Sequence, residues 1–216
     1  MRSLTRSTLL VPVLIAAAAA LLQGCLPAAA VGVGAGALIV SDRRPSETYL
    51  ADEAIEIRAM NRLNEKFGDK AHVSITSYNL KVLLTGETPD AGLKDEIEKV
   101  VAAVPNVKGI TNELQVAGIS SFGARSNDTY ITSKVKARYI EANRFSVNHV
   151  KVVTEAGTVY LLGLVTRKEA DHASSIASTT AGVRKVVRVF EYIDDAEARR
   201  LDNRPAQDAS KQPAEK

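Results

Sequence analysis

The chain has 216 residues, with 28 Lys/Arg against 25 Asp/Glu, one Cys and no Trp. One cysteine excludes an internal disulfide and a thiolate metal site, and the lack of Trp argues against a stacking platform for single-stranded nucleic acid. The net charge of +3 falls to +1 once Arg2 and Arg6 are set aside, which is not the charge of a general nucleic-acid binder.

The average hides an asymmetry. Between Ser46 and Gly118, 8 basic residues stand against 12 acidic ones, a net of −4; between Arg125 and Ile193, 11 stand against 6, a net of +5. The two halves carry opposite fields, which suggests that one of them faces an anionic partner.

Arg2 and Arg6 followed by an apolar stretch from Leu9 to Leu22 form the charged and hydrophobic regions of a secretory signal. The stretch is shorter than the roughly 20 apolar residues a membrane-spanning helix needs. It ends in Leu22-Gln23-Gly24-Cys25, which resembles the bacterial lipobox. That resemblance implies diacylglycerol on the Cys25 sulfur, cleavage just before Cys25 and acylation of the new amine. Two or three acyl chains at about 0.8 kcal/mol per buried methylene make membrane residence close to permanent. Leu26 follows Cys25 where an inner-membrane retention signal would have Asp, so the resemblance implies the outer membrane, with the body facing the periplasm.

Removal of residues 1–24 leaves 192, enough for one large domain or two small ones. Val31 to Val40 is apolar but interrupted by glycine, a poor helix and a fitting flexible tether, with a membrane-inserting segment as the alternative. Ser41 to Pro45 reads as the break before the first folded module. Ile55, Met60, Leu63 and Phe67 recur at near-helical spacing and predict a helix from Leu50 to Phe67. Val73 and Ile75, then Val82 and Leu84, predict a hairpin turning at Asn79. Thr88 and Pro89 read as a helix cap and first turn, with Leu93, Ile97, Val100, Val101 and Val104 on the helix's apolar face. Val107, Ile110, Leu114 and Val116 supply a last strand.

The same order then returns. Ile131, Val135 and Tyr139 predict a helix over 128–143. Val150, Val152 and Val153 predict a strand, Gly157 a turn, and Val159 to Leu164 a second strand. Thr166 to Glu169 is a capping box opening a helix. Val183 to Phe190 forms the final strand. Val73 matches Val150, His72 matches His149 and Gly86 matches Gly163, each pair 77 residues apart; Asp52 with Asp128 and Val107 with Val183 are 76 apart. The chain is an internal duplication of a helix–strand–strand–helix–strand unit. At roughly 70 residues each unit has a marginal core alone, so the two are expected to dock, helped by their opposite charges.

Gly157-Thr158-Val159-Tyr160-Leu161-Leu162-Gly163-Leu164-Val165, followed by a helix and Gly182-Val183, resembles a BON domain. The first copy keeps Val82 to Gly86 but has no glycine before that strand. Ser126-Asn127-Asp128-Thr129-Tyr130-Ile131-Thr132 is the most specific local match. With the lipobox in front, the whole is similar to the family of dual-BON outer-membrane lipoproteins. The resemblance implies an α+β fold of two tandem αββαβ modules, each a small mixed three-stranded sheet packed with two helices. The expected layout is a signal peptide over 1–24, a lipidated N-terminus and tether over 25–45, BON domains over 46–118 and 128–193, a linker over 119–127 and a disordered tail over 194–216.

No nucleophile elbow, phosphate loop or dinucleotide fingerprint is present, so the chain is expected to be no enzyme and to need no cofactor. His72, His149 and His172 show no metal-ligand spacing and read as solvated or capping residues. Gly86 and Gly163 read as places where a helix approaches a strand closely. The better candidate is the helix over 128–144. One face carries Ile131, Val135, Tyr139 and Ala142 and should pack on the sheet. The opposite face carries Tyr130, Ser133, Ala137, Ile140 and Arg144, with Lys134 and Lys136 on its flanks. Aromatic and aliphatic groups among cations suit a surface that sits among lipid headgroups. The other reading of that face is that Tyr130 and Ile140 pack on the first module. The first module's helix, with Asp52, Glu53, Glu56 and Glu65, would be repelled by anionic lipid.

The expectation is therefore anionic-phospholipid binding by the second module. The family resemblance implies phosphatidylglycerol-type lipid, support of envelope integrity, enrichment at the division site and an indirect link to outer-membrane protein assembly. The alternative is a periplasmic adaptor that binds a protein or peptidoglycan partner through the acidic first module.

Overall fold

The structure is a computed structural model that describes residues 42–204. The signal, the lipobox and Cys25 lie outside the described residues, as does the chain beyond Arg204. Each half is built as the pattern implies, from a long helix, a hairpin, a second helix and a strand returning parallel to the hairpin's second strand. In the first half these are α1 (Ser46–Phe67), β1 (His72–Tyr78), β2 (Lys81–Thr88), α2 (Ala91–Ala102) and β3 (Gly109–Asn112). A two-residue β4 (Gln115–Val116) extends the pairing along β2. In the second half they are α3 (Phe122–Ala142), β5 (Lys151–Glu155), β6 (Thr158–Val165), α4 (Arg167–Ser178) and β7 (Lys185–Tyr192). In both sheets the hairpin is antiparallel and the last strand parallel.

Alternation along the strands explains the paired apolar residues. Val82 and Leu84 face α1 and α2 in one core, and Val159, Leu161 and Val165 face α3 and α4 in the other. The residues between them point the other way. Leu83 and Tyr78 of the first sheet meet Tyr160 and Leu162 of the second in a third cluster, with Val153, Leu164, Val187 and Val189 beside them. The two sheets pack back to back, so β2 and β6 are covered on both faces and read as near-continuous apolar runs. Ion pairs rim this seam: Lys81–Glu191 at 2.7 Å and Lys151–Glu56 at 3.0 Å.

Several boundaries differ from the pattern. The stretch 119–127 is not all linker, because Ser121 accepts a hydrogen bond from Ala124 N and starts α3 at Phe122. The serines and glycines there serve a helix cap. Asp90 rather than Thr88 caps α2, accepting from Leu93 N at 2.9 Å. The last strand of the first half is broken where Leu114 turns inward to 2 % exposure. The capping box of Thr166 and Glu169 forms as expected.

The ends of the described chain are more ordered than composition suggests. Residues 194–202 are not a disordered tail: Asp194 caps α5 (Asp195–Asp202), which buries Ala198 and Leu201. Nor does the tether run loose to 45. The Arg43 guanidinium bonds Glu169 and Asp202 at 2.8–3.0 Å and the Leu164 carbonyl at 2.8 Å. Arg44 bonds Asp42 and Asp52, with its guanidinium 4.1 Å from the Tyr78 ring centre and 4.9 Å from that of Tyr49. Adjacent arginines thus hold different modules.

Asp52 and Asp128, equivalent in the duplication, perform the same task. Asp52 accepts from Asn79 N and Leu80 N at 2.8 Å and from Ser77 Oγ at 2.6 Å. Asp128 accepts from Ala156 N and Gly157 N at 2.9 Å. Each carboxylate, on the first helix of its module, locks the tip of that module's hairpin. Leu80 stands at φ +67° where the second copy has Gly157 at φ +73°, a backbone region costly for a branched side chain. The Asp52 bonds hold it there.

Candidate functional site

The helix singled out by its sequence is α3. It is anchored by Ile131, Val135 and Tyr139, all 1 % exposed or less. Tyr139 donates to the Ala173 carbonyl at 3.0 Å, and its ring meets Phe145 edge-on at 5.0 Å. Burial pushes the Tyr139 hydroxyl pKa well above its ordinary value. These contacts fix the rotation of the helix and so determine which face is left open.

That face points away from the seam. Tyr130 is 62 % exposed and Ile140 66 %, so neither packs on the first module, which rules out that use of the face. Ser133, Lys136, Ala137 and Arg144 are exposed as well. The early start of α3 adds Phe122, which is 79 % exposed. Phe122 precedes Ile140 by 18 residues, five full turns, and so lies on the same line about 27 Å away along the axis. The pattern missed it because its neighbours resembled a linker.

The cations on this helix are not equivalent. Lys134 is drawn aside: its ammonium donates to the Ala181 carbonyl and lies 4.6 Å from the Tyr130 ring centre. It braces the turn after α4 and is less available to a headgroup than its position suggested. Arg138 is also consumed by that turn, bonding the Ile176 carbonyl and the hydroxyls of Thr179 and Thr180. The helix ends at Ala142, with Asn143 left-handed at φ +46°, so Arg144 stands just past α3 rather than on it. Lys136 and Arg144 form no ion pair among the described residues and are the cations free to meet an external anion. Glu141, also exposed, sits among them.

The acidic surface foreseen on α1 is thinner than its pattern. Asp52 is 2 % exposed and spent on Arg44 and the hairpin, and Glu56 bonds Ser77 N and Lys151. Glu53 and Glu65 remain exposed.

The histidines are also not simply solvated. His149 is 9 % exposed, its Nδ1 3.6 Å from Glu169 and its Nε2 3.5 Å from Asp202. His72 lies at the seam, where ligand atoms of His72, Glu87 and Glu155 all fall within 4.8 Å of one another. Their sequence separations gave no sign of this, because two sheets must dock to assemble the group. The carbonyls of these histidines explain Gly86 and Gly163: a Cβ at either glycine would strike the His72 or His149 carbonyl oxygen. The close approach is by strand β1 at Gly86 and by the 3-10 turn Val147–His149, which leads into β5, at Gly163, rather than by a packed α-helix.

No helix among the described residues is long and apolar enough to cross a membrane. The sequence profile of the BON domain matches residues 51–118 and 127–194. The chain belongs to the BON-domain family, with two copies in tandem, and within it is a DolP-like protein. It is 37 % identical to the outer membrane lipoprotein DolP of Haemophilus influenzae over 80 % of this chain and 91 % of that one. It is 30 % identical to a 21 kDa hemolysin of Actinobacillus pleuropneumoniae, covering 70 % of this chain and 79 % of that one. Against osmotically-inducible protein Y of Escherichia coli K12 it is 29 % identical, over 70 % of this chain and 78 % of that one.

Proposed function

We propose that this protein is a non-catalytic outer-membrane lipoprotein, anchored through acylated Cys25, whose second BON domain binds anionic phospholipid and thereby supports envelope integrity. The likeness to a protein named as an outer membrane lipoprotein supports the location. The observation that carries the lipid reading is the open face of α3, where Phe122, Tyr130 and Ile140 stand exposed beside Lys136, with Arg144 just past the helix end and neither cation in an ion pair among the described residues. Apolar side chains would enter the headgroup boundary, and each nearby cation would add about 1 kcal/mol on an anionic surface. From Cys25 to Asp42 the chain has 17 residue steps, a reach of at most about 60 Å, so α3 can meet the same membrane that holds the anchor. Phosphatidylglycerol is the expected ligand class.

The test uses the Cys25→Ser protein without residues 1–24, so that binding reads the protein face and not the acyl chains. Vesicles of phosphatidylglycerol should bind it, with affinity falling as salt rises, while phosphatidylcholine vesicles should not. Ile140→Glu, Lys136→Glu and Phe122→Ser should each weaken binding with an unchanged circular dichroism spectrum. Equal, salt-insensitive binding to both lipids would reject the proposal.

A further inference from the structure

We propose that His72, Glu87 and Glu155 form a zinc site that fastens the two BON domains together across their seam. His72 and Glu87 are directly opposed partners of the β1–β2 ladder, so their side chains emerge side by side on one sheet face. Glu155 comes from β5 of the other domain. The three ligand atoms lie within 4.8 Å of one another. Ligands about 2.0–2.2 Å from a tetrahedral zinc stand about 3.4 Å apart, a contraction that Glu side-chain rotation can supply.

The surroundings ask for a cation. Glu87 is 5 % and Glu155 6 % exposed, and neither carboxylate meets a Lys or Arg among the described residues. Their protein partners are neutral: Thr85 Oγ1 donates to Glu155 at 3.4 Å with the Ser74 hydroxyl beside it, and Ser120 N donates to Glu87 at 3.3 Å. Two buried carboxylates facing each other without a counter-charge are costly. The His72 imidazole, half-buried and without a hydrogen bond among the described residues, completes the donor set. One nitrogen and two oxygens, with water in the remaining position, suit zinc better than calcium or magnesium, which prefer oxygen alone. Thr85 and Ser120 would orient the carboxylates as outer-shell partners. The ligands come from both domains, so the metal would be a clasp.

The experiment takes the full-length lipoprotein in detergent, stripped with chelator and then given zinc chloride. One zinc per chain should survive dialysis, and the thermal midpoint should rise with zinc but not with magnesium. His72→Ala and Glu155→Gln should each lower zinc affinity at least about 100-fold, whereas His172→Ala, on the outer side of α4, should leave it unchanged. X-ray absorption of the wild-type zinc form should show one imidazole and oxygen ligands with no sulfur, a readout that needs no variant to fold. Absence of bound zinc would overturn the proposal. So would zinc retained by His72→Ala, sulfur in the coordination shell, or a gain in stability from Glu155→Gln with no zinc bound to the wild type, which would mark a shared proton instead.

Discussion

Asp52→Ala offers the sharpest test of how the duplicated modules hold their hairpins. The Asp52 carboxylate receives two backbone N–H groups, the Ser77 hydroxyl and the Arg44 guanidinium, all at 2.6–2.8 Å. Its deletion removes one partner of a buried ion pair, an operation that costs about 3–5 kcal/mol. It also frees Leu80 from the bonds that hold its positive φ. Asp128→Ala removes only two N–H acceptances, from Ala156 and Gly157. For bonds to a charged group left unmet that comes to about 2–3 kcal/mol. Gly157 in that turn stores no strain, so Asp52→Ala should be the costlier change by about 1–2 kcal/mol. Urea unfolding followed by far-ultraviolet circular dichroism measures both. With a slope of about 2 kcal/mol/M, Asp52→Ala should lower the midpoint by about 2 M and Asp128→Ala by about 1 M. The reasoning fails if the order is reversed, or if either variant loses less than about 0.5 M.

Gly86→Ala and Gly163→Ala should lose more than about 2 kcal/mol, or not fold, because each methyl would have to displace backbone, that of β1 at Gly86 and that of the Val147–His149 turn at Gly163; Gly118→Ala, with nothing within 4 Å of its added carbon, should be neutral in the same denaturation assay. Burial alone would raise the Glu169 carboxyl pKa, but His149 and the Arg43 guanidinium outweigh it and hold the carboxyl well below the usual carboxylate range. A depressed folded value contributes stability above the ordinary carboxylate pKa and loses it as pH falls through the acid range. Glu169→Gln should therefore flatten the acid limb of the stability–pH curve between about pH 5 and 3, read from urea midpoints at each pH.

Much of this architecture was legible because its signals are local. The apolar residues at four-residue steps in α3, the capping box at Thr166 and the paired strands of each hairpin come from spacing within a dozen residues. What escaped the sequence depends on contacts between distant segments. Ser121 reads as linker until its hydroxyl is seen capping α3, and Phe122 is lost with it. Arg43 and Arg44 look like a basic tether until Glu169, Asp202 and Asp52 close round them. Asp52 reads as surface charge because amphipathic spacing cannot distinguish a solvated carboxylate from one aimed at a hairpin tip. The charged residues of α5 hide a helix held by Ala198, Leu201 and the Asp202–Arg43 bond. On the candidate surface, Tyr130 and Ile140 stood out by being apolar among cations, while the diversion of Lys134 to the Ala181 carbonyl was beyond any pattern.

The neighbouring arginines at the start of the described chain have a mechanical consequence. Arg43 grips the C-terminal half and Arg44 the N-terminal half, so a tug arriving from upstream strains the C-terminal lobe first, although the pulled chain belongs to the N-terminal one. While both grips and the shared apolar seam hold, the two lobes turn together, and the bearing of α3 stays tied to the position of Asp42.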